Sequence, residues 1–175
     1  MSVKVTLNKL ERAGRKQTRI TKEACKLLEE AINHPSFKKK LNEAEFRASW
    51  KIMPGSSDEE KTAQEVLQII LDGQEYDTEK DHEIDLHIKY KFMWFAIGKT
   101  SKGKFPINTS YRFVNKCIRR GDPIKLAAHF MHEWTHVAGF YHRGGNGARG
   151  DVPYVVGNIV HEVMKEIRNS ESSIQ

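Results

Sequence analysis

The segment DPIKLAAHFMHEWTHVAG, residues 122–139, constrains the fold more than any other part of the chain, because its pattern fits an α-helix with a defined start and stop. Asp122 is placed to cap the first turn, and Pro123 falls at the first helical position, where its missing amide proton removes no hydrogen bond. Gly139 lies where the helix has to end, since glycine takes the left-handed backbone conformation that such a stop needs. Ile124, Ala127, Ala128, Met131, Trp134 and Ala138 give the helix enough apolar surface to be buried, with Trp134 read as core.

Three histidines ride on this helix, and two of them carry the motif. His132 and His136 are four residues apart and stand one turn apart on the same face, where two imidazoles can address one ion. Catalytic zinc ordinarily takes three protein ligands and keeps one position open. A turn at Gly139 can bring His142 back as the third, so the string H-E-W-T-H-V-A-G-F-Y-H has the form H-E-x-x-H-x-x-G-x-x-H. Glu133 follows the first histidine and falls where a general base can reach water acidified by the metal. H-E-x-x-H alone recurs by chance; the glycine and the third histidine in register make the longer string specific. His132, His136 and His142 are therefore expected to bind Zn2+, with Glu133 as base. His129 lies on the ligand side of the helix, either lining a cleft, holding an acid or filling a structural place. His161, in the last helical segment, is core, supporting or exposed. Neither is needed as a ligand.

The rest of the chain supplies a mixed frame. Residues 20–33 have the stripe of an amphipathic helix, Ala24, Leu27, Leu28, Ala31 and Ile32, with Thr21 as N-cap and an end at His34-Pro35. A short polar helix follows toward Phe46. In PGSSDEEKTAQEVLQIILDG, Ser57 is the expected cap, Asp58, Glu59 and Glu60 favour the first turn, Val66, Leu67, Ile70 and Leu71 face inward, and Gly73 stops the helix. Ile84, Leu86, Ile88, Tyr90 and Phe92 then alternate with Asp85, His87, Lys89 and Lys91, the repeat of a half-buried strand. His82 carries no ligand signal, and His87 falls on the solvated phase. MWFAIGKT and GKFPIN read as further strands, NTSYRFVNKCIRRG is ambiguous, a last helix covers about residues 156–168, and SESSIQ frays. Residues 72–85 hold seven acids and one lysine but match no calcium loop, so they are read as surface.

Composition narrows the class. At 175 residues, 38% hydrophobic and 30% charged, the chain has what an ordinary folded domain needs. Cys25 and Cys117 are read as reduced, buried thiols. No stretch is apolar for long enough to span a membrane, and the N-terminus has no apolar core of a signal peptide. The expected location is cytoplasmic, with leaderless export or loss of a leader left open. The net charge of +6 is concentrated: residues 1–40 hold 11 basic and 4 acidic residues, or +7, leaving −1 for the rest. Residues 1–19 are read as a basic flexible arm, and its solvated reading is preferred over nucleic-acid binding because no aromatic residues interleave with the arginines. Residues 20–175 are read as one domain, with a helical portion over 20–73 and the sheet and zinc site over 82–168.

HEWTHVAGFYH resembles the motif of the metzincin zinc metallopeptidases. Carried over residue by residue, the resemblance implies His132, His136 and His142 as ligands and Glu133 as catalytic glutamate. It implies an α+β, zincin-like domain: a small twisted mixed sheet, an edge strand within WFAIGKTSKGKFPIN that pairs with extended substrate, an active-site helix and a C-terminal helix, here with added N-terminal helices. The likeness is specific over residues 122–142 and absent over residues 1–80. The methionine turn of that family has no counterpart: Met164 falls in a helical segment, and the turn candidate is DVPYVVG. Tyr154 in that segment takes the family tyrosine's place beside the oxyanion, or is a core or cleft-wall residue. The expected function is a zinc-dependent endopeptidase acting on peptide or protein in extended form, with Arg119, Arg120, Arg143 and Arg149 biasing the surroundings positive. Such an activity calls for restraint by an inhibitor, a regulatory protein, narrow specificity or export. The alternatives are a zinc-stabilised peptide- or protein-binding module without catalysis, its cleft filled by GGNGARGD, and a nucleic-acid-associated protein using the basic arm.

Overall fold

A computed structural model describes residues 2–143 and 149–172, so most of the GGNGARGD segment and the last three residues lie outside the described residues. The architecture is mixed α+β, with six helices and a small mixed sheet among the described residues. Alternation in the sequence becomes strand β4 (Glu83–Lys91), which buries Ile84, Leu86, Ile88 and Tyr90 completely. Its phase breaks one residue too early for Phe92, which lies beyond the strand and is exposed.

The partner of β4 is unexpected. Residues 1–19 are not a flexible arm: β1 (Lys4–Glu11) pairs with β4 in parallel, Val5 opposite Ile84 and Leu7 opposite Leu86. Its charged residues suit an edge strand with one open side, and Lys4 and Glu11 meet Glu83 and Lys89 across the pair. His87, on the phase read as solvated, places Nε2 2.6 Å from Glu11 Oε1 and is only partly exposed. On the other side of β4 run β6 (Ile107–Ser110), parallel to it, and then β5 (Gly98–Lys99), antiparallel to β6, giving the order β1-β4-β6-β5. The expected edge strand in residues 94–108 is therefore β5, and MWFAIGKT contributes only two strand residues.

Helices cover this sheet. α1 (Arg15–Asn33) starts well before Thr21, capped by Gly14. Thr21 is buried in mid-helix, its hydroxyl bonded to the Gln17 carbonyl and 2.6 Å from the Tyr90 hydroxyl, and so joins helix to sheet. α2 (Pro35–Asn42) follows the His34 break. α3 (Ala63–Leu71) is capped by Thr62, not Ser57: Thr62 accepts from the Glu65 amide while Glu65 accepts from the Thr62 amide. This reciprocal pair outcompetes Ser57, and Glu59–Glu60, expected in a first turn, instead form β3 against β2 (Trp50–Lys51). The ambiguous segment 108–121 divides: its first three residues complete β6, and α4 (Tyr111–Arg120) takes up the rest to the Gly121 stop.

α5 (Pro123–Val137) is the expected capped helix, with the Asp122 side chain accepting from the Lys125 amide. It packs beneath the sheet and against α1 and α6 (Val152–Ser172). Trp134 is fully buried, and its indole N–H donates to Glu75 at 2.9 Å. Glu75 and Asp72 are thus inside, contrary to the reading of residues 72–85 as surface. DVPYVVG is likewise not a free turn: from Val152 it is the opening of α6, which also runs past the expected end to Ser172. Met164 lies in the core face of α6, and Cys25 and Cys117 are free and buried.

Candidate metal centre

The centre is assembled where α5 ends. Gly139 has φ +101° and lets the chain reverse after Ala138. Its carbonyl accepts from the Ile52 amide at 3.0 Å, and the Trp50 carbonyl accepts from Tyr141, so residues 47–52 form a strap beside the returning segment. Arg47 and Ala48 continue this strap onto Gly150 and Val152. The reversal brings His142 to the helix: ring centroids lie 5.3 Å apart for His132 and His136, 5.4 Å for His132 and His142, and 4.9 Å for His136 and His142.

One nitrogen from each of His132, His136 and His142 lies within 4.8 Å of the other two, so the cluster can hold a metal ion. The second nitrogens test the fit. His136 Nδ1 lies 2.8 Å from the Phe140 carbonyl, which leaves Nε2 as the ligand atom. His142 Nδ1 lies 3.3 Å from Asp151 Oδ2, and His132 is hydrogen-bonded to the Pro153 backbone, whose one polar acceptor is its carbonyl. His136 and His142 are therefore each held at Nδ1 by an oxygen, the arrangement that fixes tautomer and ring orientation in metal-binding histidines. Asp151 is fully buried, and its Oδ1 has no hydrogen-bond partner among the described residues.

Burial sets the charge states. It drives His132 down to about 2, with neighbouring His136, His129 and His142 adding to the shift, and His136 down to about 4. Both are neutral at neutral pH, with lone pairs free to bind metal. The Glu133 carboxyl is pushed up to about 7 by burial, against the pull of the Thr100 hydroxyl, which donates to Oε2 at 2.7 Å. Glu133 stands outside the histidine cluster.

Of the residues that build the surroundings of Glu133, sequence pattern singled out His129 but not Thr100 or Gly98. Thr100, just after β5, orients its carboxylate. His129 is almost wholly buried, with Nε2 3.1 Å from the Thr109 hydroxyl, the hydrogen bond of a structural histidine, and Nδ1 3.9 Å from Glu133 Oε1, beside the acid but beyond hydrogen-bonding distance. Gly98 allows β5 to lie directly on the carboxylate: a methyl there would come 2.8 Å from Glu133 Cδ and closer still to Oε1 and His129 Cε1. His161 is on α6 and forms no part of the cluster.

Tyr154, one turn into α6, packs its ring 4.6 Å from His132 and 4.9 Å from His142, centroid to centroid. Its hydroxyl makes no hydrogen bond to a described residue. Beneath, Gly157 lets α6 approach α5, where a Cβ would meet the Ala128 carbonyl at 3.0 Å and His132 Cβ at 3.3 Å. The floor of the cluster is thus the first turns of α6. No protein-family model, no curated protein and no solved structure matches the chain.

Proposed function

We propose that the chain is a zinc-dependent endopeptidase with a zincin-like, metzincin-related arrangement, in which the α6 floor stands where that family has its methionine turn. The observation that carries this reading is the histidine triad, with His136 and His142 braced at Nδ1, next to a buried glutamate outside the cluster. A purely structural zinc site closes its coordination with four protein ligands, whereas the cluster among the described residues has three.

Zinc held by this cluster would supply Lewis acidity to a water and to a peptide carbonyl. His132, His136 and His142 hold the ion through neutral imidazole nitrogens. Glu133 takes a proton from the attacking water and returns it to the leaving amine nitrogen. Its partner Thr100 keeps one carboxylate oxygen tied while the other stays free for that transfer. Tyr154, beside His132 and His142, is the residue whose hydroxyl can donate to the oxyanion. The open side of β5 offers backbone groups to an extended peptide, which would add as a strand beside Glu133.

The test is Glu133→Gln, assayed with a library of unstructured peptides beside a metal analysis. The expected variant keeps about one zinc per chain and loses at least ~100-fold in cleavage. Undiminished chelator-sensitive cleavage by the variant removes Glu133 as the base. Zinc in both proteins with cleavage in neither points instead to the binding module.

A further inference from the structure

Residues 92–97, FMWFAI, connect β4 to β5 across the end of β6, where the Ser110 amide donates to the Ile97 carbonyl at 2.8 Å. Six apolar residues in succession would normally enter a core. Here Phe92 is 70% exposed, Trp94 75%, Phe95 103% and Ile97 54%. Phe92 and Trp94 pack edge to face on each other, 4.9 Å between centroids.

We propose that this loop docks the protein on an anionic lipid bilayer, its aromatic tip inserted at the interface and the basic residues around it holding acidic headgroups. The loop is a projecting tip, because side chains lining a groove would be covered on two sides, and these are not. Tryptophan and phenylalanine on such a tip gain most at the boundary between headgroups and acyl chains.

Charge complementarity selects the lipid. No acid occurs between Asp85 and Asp122, a stretch with nine basic residues, and none occurs between Glu11 and Glu23, which enclose Arg12, Arg15, Lys16, Arg19 and Lys22. The fold brings the ends of these stretches together. β1, β4 and β6 are parallel and finish at the same sheet end, so Arg12, Lys91 and Arg112 follow or close the strands beside the loop. The Arg12 carbonyl accepts from the Tyr111 hydroxyl, and Gln17 of α1 bonds Asn115 of α4, which gathers Arg15 and Lys16 at that end. Lys89 is engaged by Glu11, and Lys102 lies over the Tyr141 ring, but Lys91, Lys99, Lys104, Arg12, Arg15, Lys16 and Arg112 make no ion pair with a described residue. An apolar insertion joined to a basic rim supplies the two signals that stable peripheral binding takes. A nucleic-acid platform would instead interleave basic residues with ring faces, and this apolar run is uninterrupted.

The inference stands apart from the peptidase reading, since neither the triad nor Glu133 enters it. It assigns to the N-terminal basic residues a surface role on folded elements.

The experiment is co-sedimentation of the full chain with vesicles of phosphatidylcholine alone or with about 30% phosphatidylserine, at low and physiological salt. Binding is expected to the anionic vesicles, weakened by salt, with a blue shift of Trp94 emission that Trp94→Phe abolishes while binding persists. Trp94→Ala combined with Phe95→Ala should weaken binding roughly tenfold or more, and Arg15→Glu or Arg112→Glu about fivefold each. Both positions are exposed, so unchanged thermal midpoints are expected. Three results overturn the proposal: no sedimentation with anionic vesicles, binding indifferent to the tip substitutions, or Trp94 responding to an oligonucleotide or to self-association but not to vesicles.

Discussion

Gly98→Ala probes whether the edge strand and the base form one unit. The added methyl would sit 2.8 Å from Glu133 Cδ, with Oε1 and His129 Cε1 nearer still. Ordinary van der Waals separation is near 3.5 Å, so the two groups have to part by about 0.7 Å or more. The carboxylate is held by Thr100 and His129 is buried, so neither recedes freely. The strand can move, because β5 is the edge of the sheet among the described residues, and it would carry with it Thr100, which holds the Glu133 carboxylate. Overpacking of this kind costs about 1–3 kcal/mol, or roughly 2–10 °C of thermal midpoint for a chain of this size. The three ligand histidines are untouched, so zinc content should remain that of the wild type. A displacement near 1 Å at a catalytic group costs on the order of 100-fold in rate, and peptide cleavage should fall by about that factor. Calorimetry, metal analysis and a cleavage assay on the same preparation measure the three effects. Wild-type stability and wild-type cleavage in the variant would refute the close packing of β5 on Glu133.

Asp151→Asn should weaken zinc binding roughly 10- to 100-fold, because it removes the carboxylate behind His142; competition with a chromophoric chelator measures it, and unchanged affinity would reduce Asp151 to a packing residue. Tyr154→Phe should keep the metal and slow cleavage about tenfold or more if its hydroxyl serves the oxyanion, and an unchanged rate assigns it to the wall of the site. Glu75 gives the pH dependence: burial raises its carboxyl above the ordinary value of 4.5, despite the Trp134 and Asp85 hydrogen bonds that lower it. Its contribution to stability is therefore full below pH 4.5 and declines as pH rises through the raised native value. Glu75→Gln should flatten that decline, with denaturation followed by Trp134 emission; identical pH profiles for variant and wild type would contradict the buried carboxyl.

Legibility followed the range of the interactions. The cap of α5 and the histidine spacing act over one or a few turns, and both were readable from residues 122–142. β4 was readable because alternation and burial coincide over seven residues. The start of α1 was hidden because Gly14 offers no capping side chain, while Thr21 has a cap-like identity but spends its hydroxyl inside, on Gln17 and Tyr90. β1 was misread because edge position lets it keep lysines that resemble a loose basic arm. Asp151 and the 47–52 strap leave no periodic trace, as their partners lie far away in sequence. Thr62 and Glu65 were a local signal that the richer acidic run at residues 58–60 obscured.

The most direct measurement is elemental analysis of metal in protein purified without added metal or chelator, in parallel for the wild type, His136→Ala and His142→Ala. About one zinc per chain in the wild type, falling sharply in both variants, is the expected result. No zinc in the wild type and none taken up on addition, or full zinc in either variant, would contradict the three-histidine centre.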